Sequence, residues 1–349
     1  MANSGVAVRA CRDRIVAEGW DPADFNSTEN ATDVADLRVA LGIESWNLYG
    51  VSYGTDLALQ TLRDHPEGIR SVVLDSVVPP QDNLFDHFWP SAAHGFQVLF
   101  DDCAADTACN AAYPNVRTAF ATLVNELTEQ PRSVTVRAPS TGQDVQVVID
   151  GYKLANLVLT SSLSPGSIAP IPALIDNLAN GDGTQAATRL AAGVPPPGVT
   201  GYGLALGVFC SEQTPFSSTE DVHVEGRKAL PGFPDAVLSF PPQAPWIFSD
   251  CQQWDVAPAD PAITEPATSA VPALLVSGSL DAITAPANAV AAAAELANAH
   301  LLDYPDGAHD VMIWSPQCGV AVMQSFLNQP DRFDDSCVAA LKVPPFTVS

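Results

Sequence analysis

Three side chains that stand far apart in this sequence are of the types that together carry out acyl transfer. The first is Ser52, in Gly50-Val51-Ser52-Tyr53-Gly54, between the apolar run Trp46-Asn47-Leu48-Tyr49 and the helical pattern from Thr55 to Leu62. Strand, tight turn and helix form the setting in which a Gly-x-Ser-x-Gly serine acts as a nucleophile. So tight a turn asks for no bulk two residues before and two residues after the serine, a demand that glycine meets. The serine is then held in a strained conformation at the carboxyl edge of a sheet. It also opens a helix, where free N–H groups and the helix dipole favour a developing oxyanion. The Tyr53 N–H is the donor placed to serve it.

A serine hydroxyl is a weak nucleophile until a base takes its proton and a third group orients that base. On a sheet edge the acid and the base should follow two later strands, in the order Ser, Asp or Glu, His. Asp281 comes just past the apolar run 273–278, and His309 just past the run 300–304. Of the six histidines, His65 precedes a proline at a helix end and His300 starts a strand. His87, His94 and His223 fall in a region of different character. His309, beside the small residues Gly307 and Ala308, is therefore the expected base. Asp303, Asp306 and Asp310 could serve as the acid, but Asp303 lies inside the strand and the other two share the His309 loop. Asp281 is better placed.

The elements needed to position these groups can be read along the chain. Residues 6–18 have a helical pattern. Thr32 is expected to cap a helix that presents Val34, Leu37 and Leu41 on one face and stops at Gly42. After the elbow, Ser71 to Val78 is a largely apolar run of the kind found in a strand buried in a parallel sheet. From about residue 81 to 265 the β/α alternation is interrupted. This stretch holds aromatic-rich helical segments, a hairpin around Ser140-Thr141-Gly142, a break at Pro195-Pro196-Pro197 and a proline-rich patch from Leu230 to Trp246. It reads as a mostly helical cap over the sheet edge. The alternation then resumes to the end of the chain. The expected division is 1–80 for the first part of the core, 81–265 for the cap and 266–349 for the second part.

Composition narrows the partners. The chain has 349 residues, 47% of them hydrophobic, enough for a large core. Fifteen basic residues against forty acidic ones give a formal charge of −25, which repels nucleic acid and anionic membrane surfaces. No run of eighteen apolar residues occurs, so no membrane span is expected. The seven cysteines suggest disulfides formed in an oxidising compartment. Cys103 and Cys109 close a short loop, Cys318 and Cys337 lie together near the end, Cys210 and Cys251 remain in the middle, and Cys11 stands alone. Without a C-x-x-C pair, or a histidine at ligand spacing from a cysteine, no metal is expected; no cofactor is expected either.

Taken together, several motifs resemble the tripeptidyl aminopeptidase-like branch of the α/β-hydrolases, which is related to the proline iminopeptidases. They are Asp36-Leu37-Arg38-Val39-Ala40-Leu41-Gly42, Tyr49 to Thr55, the tract from His65 to Pro80, Gly278-Ser279-Leu280-Asp281-Ala282-Ile283-Thr284-Ala285-Pro286, Gly307-Ala308-His309 and the Cys318/Cys337 tail. The resemblance covers nearly the whole chain from Val6. It implies an α/β-hydrolase fold, a mostly parallel sheet with a mostly helical cap, and an extracellular or cell-envelope serine exopeptidase acting on short peptides. It also implies Ser52 as nucleophile, Asp281 as orienting acid, His309 as base, and the disulfides Cys103–Cys109, Cys210–Cys251 and Cys318–Cys337. Glu212, similar in placement to family acidic residues, is expected to meet the substrate amine. Trp246, Phe248 and Trp254 are candidates for an apolar pocket.

Members of the family carry an export signal, several core strands and a Gly-rich oxyanion loop ahead of the stretch that corresponds to Val6. This chain is expected to lack that N-terminal portion, and with it a second oxyanion donor and the partner of Cys11. An incomplete sheet would favour self-association. The alternatives to an exopeptidase are a carboxylesterase acting on small esters with the same triad, and a truncated, catalytically weak or inactive binding protein.

Overall fold

The structure is a computed structural model that describes residues 4–192 and 202–348. The expected break at Pro195-Pro196-Pro197 lies outside the described residues. Helix α1 (Gly5–Ala17) and helix α2 (Ser27–Ala40) precede strand β1 (Trp46–Val51), helix α3 (Tyr53–Asp64) and strand β2 (Ile69–Asp75). Helix α4 (Leu84–Ala105) opens the interrupting region, which also holds the hairpin β3 (Arg132–Arg137) and β4 (Asp144–Ile149). The alternation resumes with β5 (Ala273–Gly278) and β6 (Ala299–Tyr304).

Strands β1, β2, β5 and β6 form a four-stranded sheet in that order, every pairing parallel. The apolar runs explain the order. β5 is buried along its whole length and β2 at all but Arg70, as strands covered on both faces must be. Alternate residues face opposite ways. Val72, Leu74 and Leu275 pack on Leu59 and Leu62 of α3 and on Ala289 of the helix Pro286–Ala293. Val73, Leu274 and Val276 pack against Val322 and Phe326 of the helix Pro316–Asn328. β1 and β6 are the edges, with Tyr49 and Leu301 exposed.

The region between β2 and β5 builds its own core, with Phe85, Trp89, Leu123, Leu127 and Trp254 among its buried residues. That core reaches down to Leu280, Ile283 and Ala308, in the loops that follow β5 and β6. The inserted region therefore roofs the carboxyl edge of the sheet. Helix α1, assigned from the sequence to the first core segment, packs instead on this roof. It lies against the helix Ile247–Trp254, and the Ser4 hydroxyl donates to Asp250 at 2.7 Å. Helix α2 starts five residues before the expected Thr32 cap. Asn26 is its N-cap and accepts from the Glu29 N–H at 2.9 Å, while Thr32 donates back to the Thr28 carbonyl.

The expected cysteine pairs are bonded: Cys103–Cys109, Cys210–Cys251 and Cys318–Cys337. Cys11 is half-buried and carries no disulfide. Among the described residues no helix is long and apolar enough to cross a membrane.

The bridges span sequence separations of 6, 41 and 19 residues, and loop-closure entropy ranks them. Replacing Cys210 and Cys251 by alanine is expected to cost about 4 kcal/mol of unfolding free energy, against about 2 kcal/mol for Cys103 and Cys109. Guanidinium unfolding of the two double variants checks the order, and the reverse ranking would refute it.

Candidate active site

Ser52 sits between β1 and α3 with φ 55° and ψ −124°, a region that non-glycine residues rarely occupy. Neighbouring bonds hold it there. Its N–H donates to the Asp75 carbonyl at 3.0 Å, and its own carbonyl accepts from the Thr55 N–H at 2.8 Å and the Thr55 hydroxyl at 2.6 Å. The Thr55 oxygen in turn accepts from the Val78 N–H, which ties the turn to the end of β2. Tyr53 is the first residue of α3, where a backbone N–H has no acceptor within the helix. The two motif glycines are not equivalent. A Cβ at Gly50 would lie 2.1 Å from the Gly54 carbonyl oxygen, whereas one at Gly54 would meet nothing within 4 Å.

On the neighbouring loops, His309 Nδ1 lies 3.0 Å from Asp281 Oδ2. Asp281 is fully buried and amply solvated by the protein. Its Oδ1 accepts from the Ile283 and Thr284 N–H groups at 2.8 and 3.0 Å, and its Oδ2 from the Thr284 hydroxyl at 2.7 Å. Burial alone would raise the Asp281 pKa, but the His309 charge and these hydrogen bonds outweigh it and hold the group below the ordinary carboxylate value. Burial likewise works against the His309 imidazolium, yet the Asp281 charge and hydrogen bond prevail and raise its pKa. Thr284 Oγ1 also lies 3.1 Å from Nδ1. Of the other carboxylates weighed from the sequence, Asp303 bonds to Ser279 and Asp306 to Ser315, while Asp310 Oδ1 is sealed without a partner among the described residues.

The His309 loop is held from two sides. At Gly278 a Cβ would fall 2.4 Å from the Ala308 N, so the end of β5 admits the loop only because it lacks a side chain. From β2, the buried Asp75 carboxylate accepts from the Val311 and Met312 N–H groups at 2.9 and 3.2 Å, and Ser76 Oγ accepts from the Asp310 N–H at 2.8 Å. Burial pushes the Asp75 pKa up to about 6, against the pull of those backbone bonds. Sequence reasoning passed over Asp75. The available signal was a carboxylate inside the apolar run Val72-Val73-Leu74-Asp75-Ser76-Val77-Val78.

Ser52, Tyr53, Asp56 and His309 line one cavity of about 200 Å³, whose other walls include Leu84, Phe88 and Ile283. Among the described residues Ser52 Oγ and His309 Nε2 make no hydrogen bond, and neither is among the sealed polar atoms, so both open onto this space. Such contacts commonly tighten only when substrate is bound. Glu212 does not line the cavity. It is buried in the π-helical turn Phe209–Gln213, where Oε1 accepts from the Ser27 N–H and Oε2 from the Ser27 hydroxyl, each at 2.6 Å. The carboxylate that faces the cavity is Asp56, which the sequence reading did not single out. A second, larger cavity of about 600 Å³ shares Phe88, Phe209 and Gln243 with the first, and Trp246 lines it. Phe248 packs against Phe85, and Trp254 is wholly buried in the core.

Residues 238–337 match the family described as TAP-like protein. The chain is 25% identical over 313 residues to serine protease Hip1 of Mycobacterium tuberculosis, covering 85% of this chain and 58% of the relative. It thus spans little more than half the length of that relative. A stretch of 57 residues, 15% of this chain and 18% of the relative, is 42% identical to a proline iminopeptidase of Xylella fastidiosa. Among solved structures, naproxen esterase (carboxylesterase NP) from Bacillus subtilis is similar at 12% identity over 87% of this chain and 67% of that one, with a TM-score of 0.36. At so low a score the fold rests on the sheet order and connections described above.

The contrast between the two glycines is open to test. Gly50→Ala is expected to abolish soluble folded protein or lower its melting temperature sharply, because the clash is with backbone. Gly54→Ala replaces a helical glycine in open space and is expected to be neutral or stabilising by about 0.5–1 kcal/mol. Equal damage from both, measured by thermal unfolding, would contradict the geometry.

Proposed function

We propose that this chain, an α/β-hydrolase related to the tripeptidyl and prolyl aminopeptidases, is a serine hydrolase that works through an acyl-enzyme. The reading is carried by the 3.0 Å contact between His309 Nδ1 and Asp281 Oδ2 beside the cavity that also holds Ser52. Asp281 keeps the Nδ1 proton in place, which leaves Nε2 free to act as base. Ser52 Oγ attacks the substrate carbonyl as His309 takes its proton. The oxyanion that forms draws on the Tyr53 N–H at the start of α3. Collapse expels the amine or alcohol, which receives the proton from His309, and leaves Ser52 acylated. Water activated by the same imidazole then releases the acid and restores the serine.

The leading substrate class is the N-terminal end of short peptides, an exopeptidase activity. A carboxylesterase on small esters is the second reading, favoured by the larger apolar cavity that adjoins the site. Three disulfides support an extracellular or cell-envelope location. The open edge of β1, with Tyr49 exposed and Leu37, Val39 and Leu41 exposed nearby in sequence, supports self-association.

A fluorophosphonate probe is expected to label wild-type protein at Ser52 and to leave Ser52→Ala unlabelled. Folded wild-type protein that resists the probe would favour a binding role without turnover.

The pH dependence follows from the raised His309 pKa. Catalysis needs the neutral imidazole, so kcat/KM is expected to fall with acidification through a midpoint above the ordinary histidine value of 6.5. In Asp281→Asn the midpoint should move to lower pH, and kcat should drop by about 10⁴ as the tautomer is lost. A wild-type midpoint below 6.5, or one that does not respond to Asp281→Asn, would refute the assignment. The same pair stabilises the fold most between the two ordinary values, 3.8 and 6.5. Its contribution is lost on acidification through the lowered Asp281 pKa and on alkalinisation through the raised His309 pKa.

A further inference from the structure

Glu212 belongs to the roof, and the acyl-transfer steps above do not use it. It is 2% exposed, and its partner Ser27 is wholly buried. Ser27 binds it twice, the N–H to Oε1 and the hydroxyl to Oε2, each at 2.6 Å. Ser27 is the first residue of α2, where an N–H lacks an acceptor within the helix and the dipole favours a negative charge. The same Ser27 Oγ lies 2.9 Å from the Tyr53 hydroxyl, and Asn30 Nδ2 lies 3.1 Å from that hydroxyl. Tyr53 is the residue whose backbone N–H serves the oxyanion in the steps above.

Counting protons gives every link a direction. A carboxylate accepts and cannot donate, so the single Ser27 hydroxyl proton goes to Glu212. Ser27 Oγ then has lone pairs and no proton left for Tyr53, so the phenol donates to it. Burial pushes the Tyr53 pKa up to about 12, and the phenol keeps the proton this requires. Asn30 Nδ2, a donor, fills the acceptor side of the phenol oxygen. The chain therefore runs from Asn30 through Tyr53 and Ser27 to Glu212, in the π-helical turn Phe209–Gln213. That turn is itself fixed: Cys210 is bonded to Cys251, and Gln213 Oε1 accepts from the Leu84 N–H at 2.9 Å.

We propose that Glu212 is a positioning residue for acyl transfer: acting through Ser27 and the Tyr53 phenol, it fixes the residue whose N–H receives the oxyanion. The proposal rests on the serine-hydrolase reading and adds a contact through which the roof bears on the elbow. Tyr53 stands where the strained Ser52 turn becomes α3. Its phenol gives that junction a second attachment, to α2 and through Ser27 to the roof. An oxyanion donor is effective to the extent that its direction is fixed before charge develops. Partners behind the reacting groups, themselves locked by hydrogen bonds, supply that fixity.

Two single variants and their combination test this on nitrophenyl butyrate. Tyr53→Phe removes the phenol oxygen alone. Its kcat is expected to fall about 10-fold with KM little changed, less than the roughly 10²- to 10³-fold lost with a whole oxyanion donor. Glu212→Gln keeps the shape of the side chain but brings an N–H to Ser27, which turns the Ser27 proton toward Tyr53 and reverses the link. A similar loss of kcat is expected. Because both changes break one chain, the double variant should lose no more than either single one. Losses that multiply, or an unchanged kcat in Tyr53→Phe, overturn the proposal. Should Glu212→Gln not fold, Ser27→Ala cuts the same link and takes its place.

A Glu212 that merely braces the fold would lower the melting temperature and leave the oxyanion untouched. The readout that separates the two is inhibition by a trifluoromethyl ketone, which Ser52 attacks to give a hemiketal. The Oγ–C bond forms, His309 takes the proton and the ketone oxygen carries the charge. Its Ki is expected to rise about 10-fold in both single variants, in step with kcat, while the Ki of the unreactive alcohol of the same shape stays unchanged. Equal changes in the two constants, or none, overturn the positioning role. Ester turnover and fluorophosphonate labelling of the wild type separate the two layers. With neither, the hydrolase reading itself fails; with both present and Tyr53→Phe unaffected, only the role of Glu212 fails.

Discussion

One residue at the end of β2 ties together the two loops on which the chemistry depends. The carbonyl of Asp75 accepts from the Ser52 N–H, while its carboxylate accepts from the backbone just past His309. The elbow and the base loop are thus referenced to a single buried point in the middle of a parallel sheet. A carboxylate buried there is unfavourable in itself, and its pKa is raised accordingly. Bonds from two backbone N–H groups and from the Ser76 hydroxyl offset much of that cost. Rigid support of this kind holds the strained serine and the imidazole on the wall of one cavity.

Around that anchor the structure spends small residues where chains must approach and polar residues where they must be held. Gly278 lets the His309 loop lie against β5, and Gly50 lets the elbow fold back on α3. Thr55 and Thr284 each bond two groups and lock one turn apiece. The roof contributes shape more than hydrogen bonds. Phe88 and Leu84 of α4 close the cavity from above, which lowers the local dielectric around Ser52 and strengthens every charge within it.

Much of this was legible in the sequence, for identifiable reasons. The strand–Gly-x-Ser-x-Gly–helix context and the order Ser52, Asp281, His309 are local or topological signals, and the structure brings Asp281 and His309 into contact. The buried strands were legible because continuous apolar runs of that length have few other uses. Where the reading departed from the structure, the cause was tertiary. Glu212 and Asp56 are both acids near the right place, but only packing decides which faces a cavity and which is consumed by Ser27. Gly54 looks as constrained as Gly50 until the direction of its missing side chain is known. Asn26, not Thr32, caps α2, its side chain accepting from the Glu29 N–H, and Thr32 falls inside the helix. Helix α1 could not be assigned to the roof from pattern alone, since its partner helix lies at the other end of the insertion.

Strands β2 and β5 are hydrogen-bonded neighbours even though the entire roof intervenes between them. Closing a chain of that length is slow, and the sheet is expected to consolidate late in folding, after the roof has drawn its two ends together. The equilibrium cost of the closure, however, grows only with the logarithm of the intervening length, about 0.6 kcal/mol for each doubling. The roof can therefore lengthen, shorten or be rebuilt over evolutionary time while the strands below keep their register, and new specificities can be tried above an unchanged reaction centre.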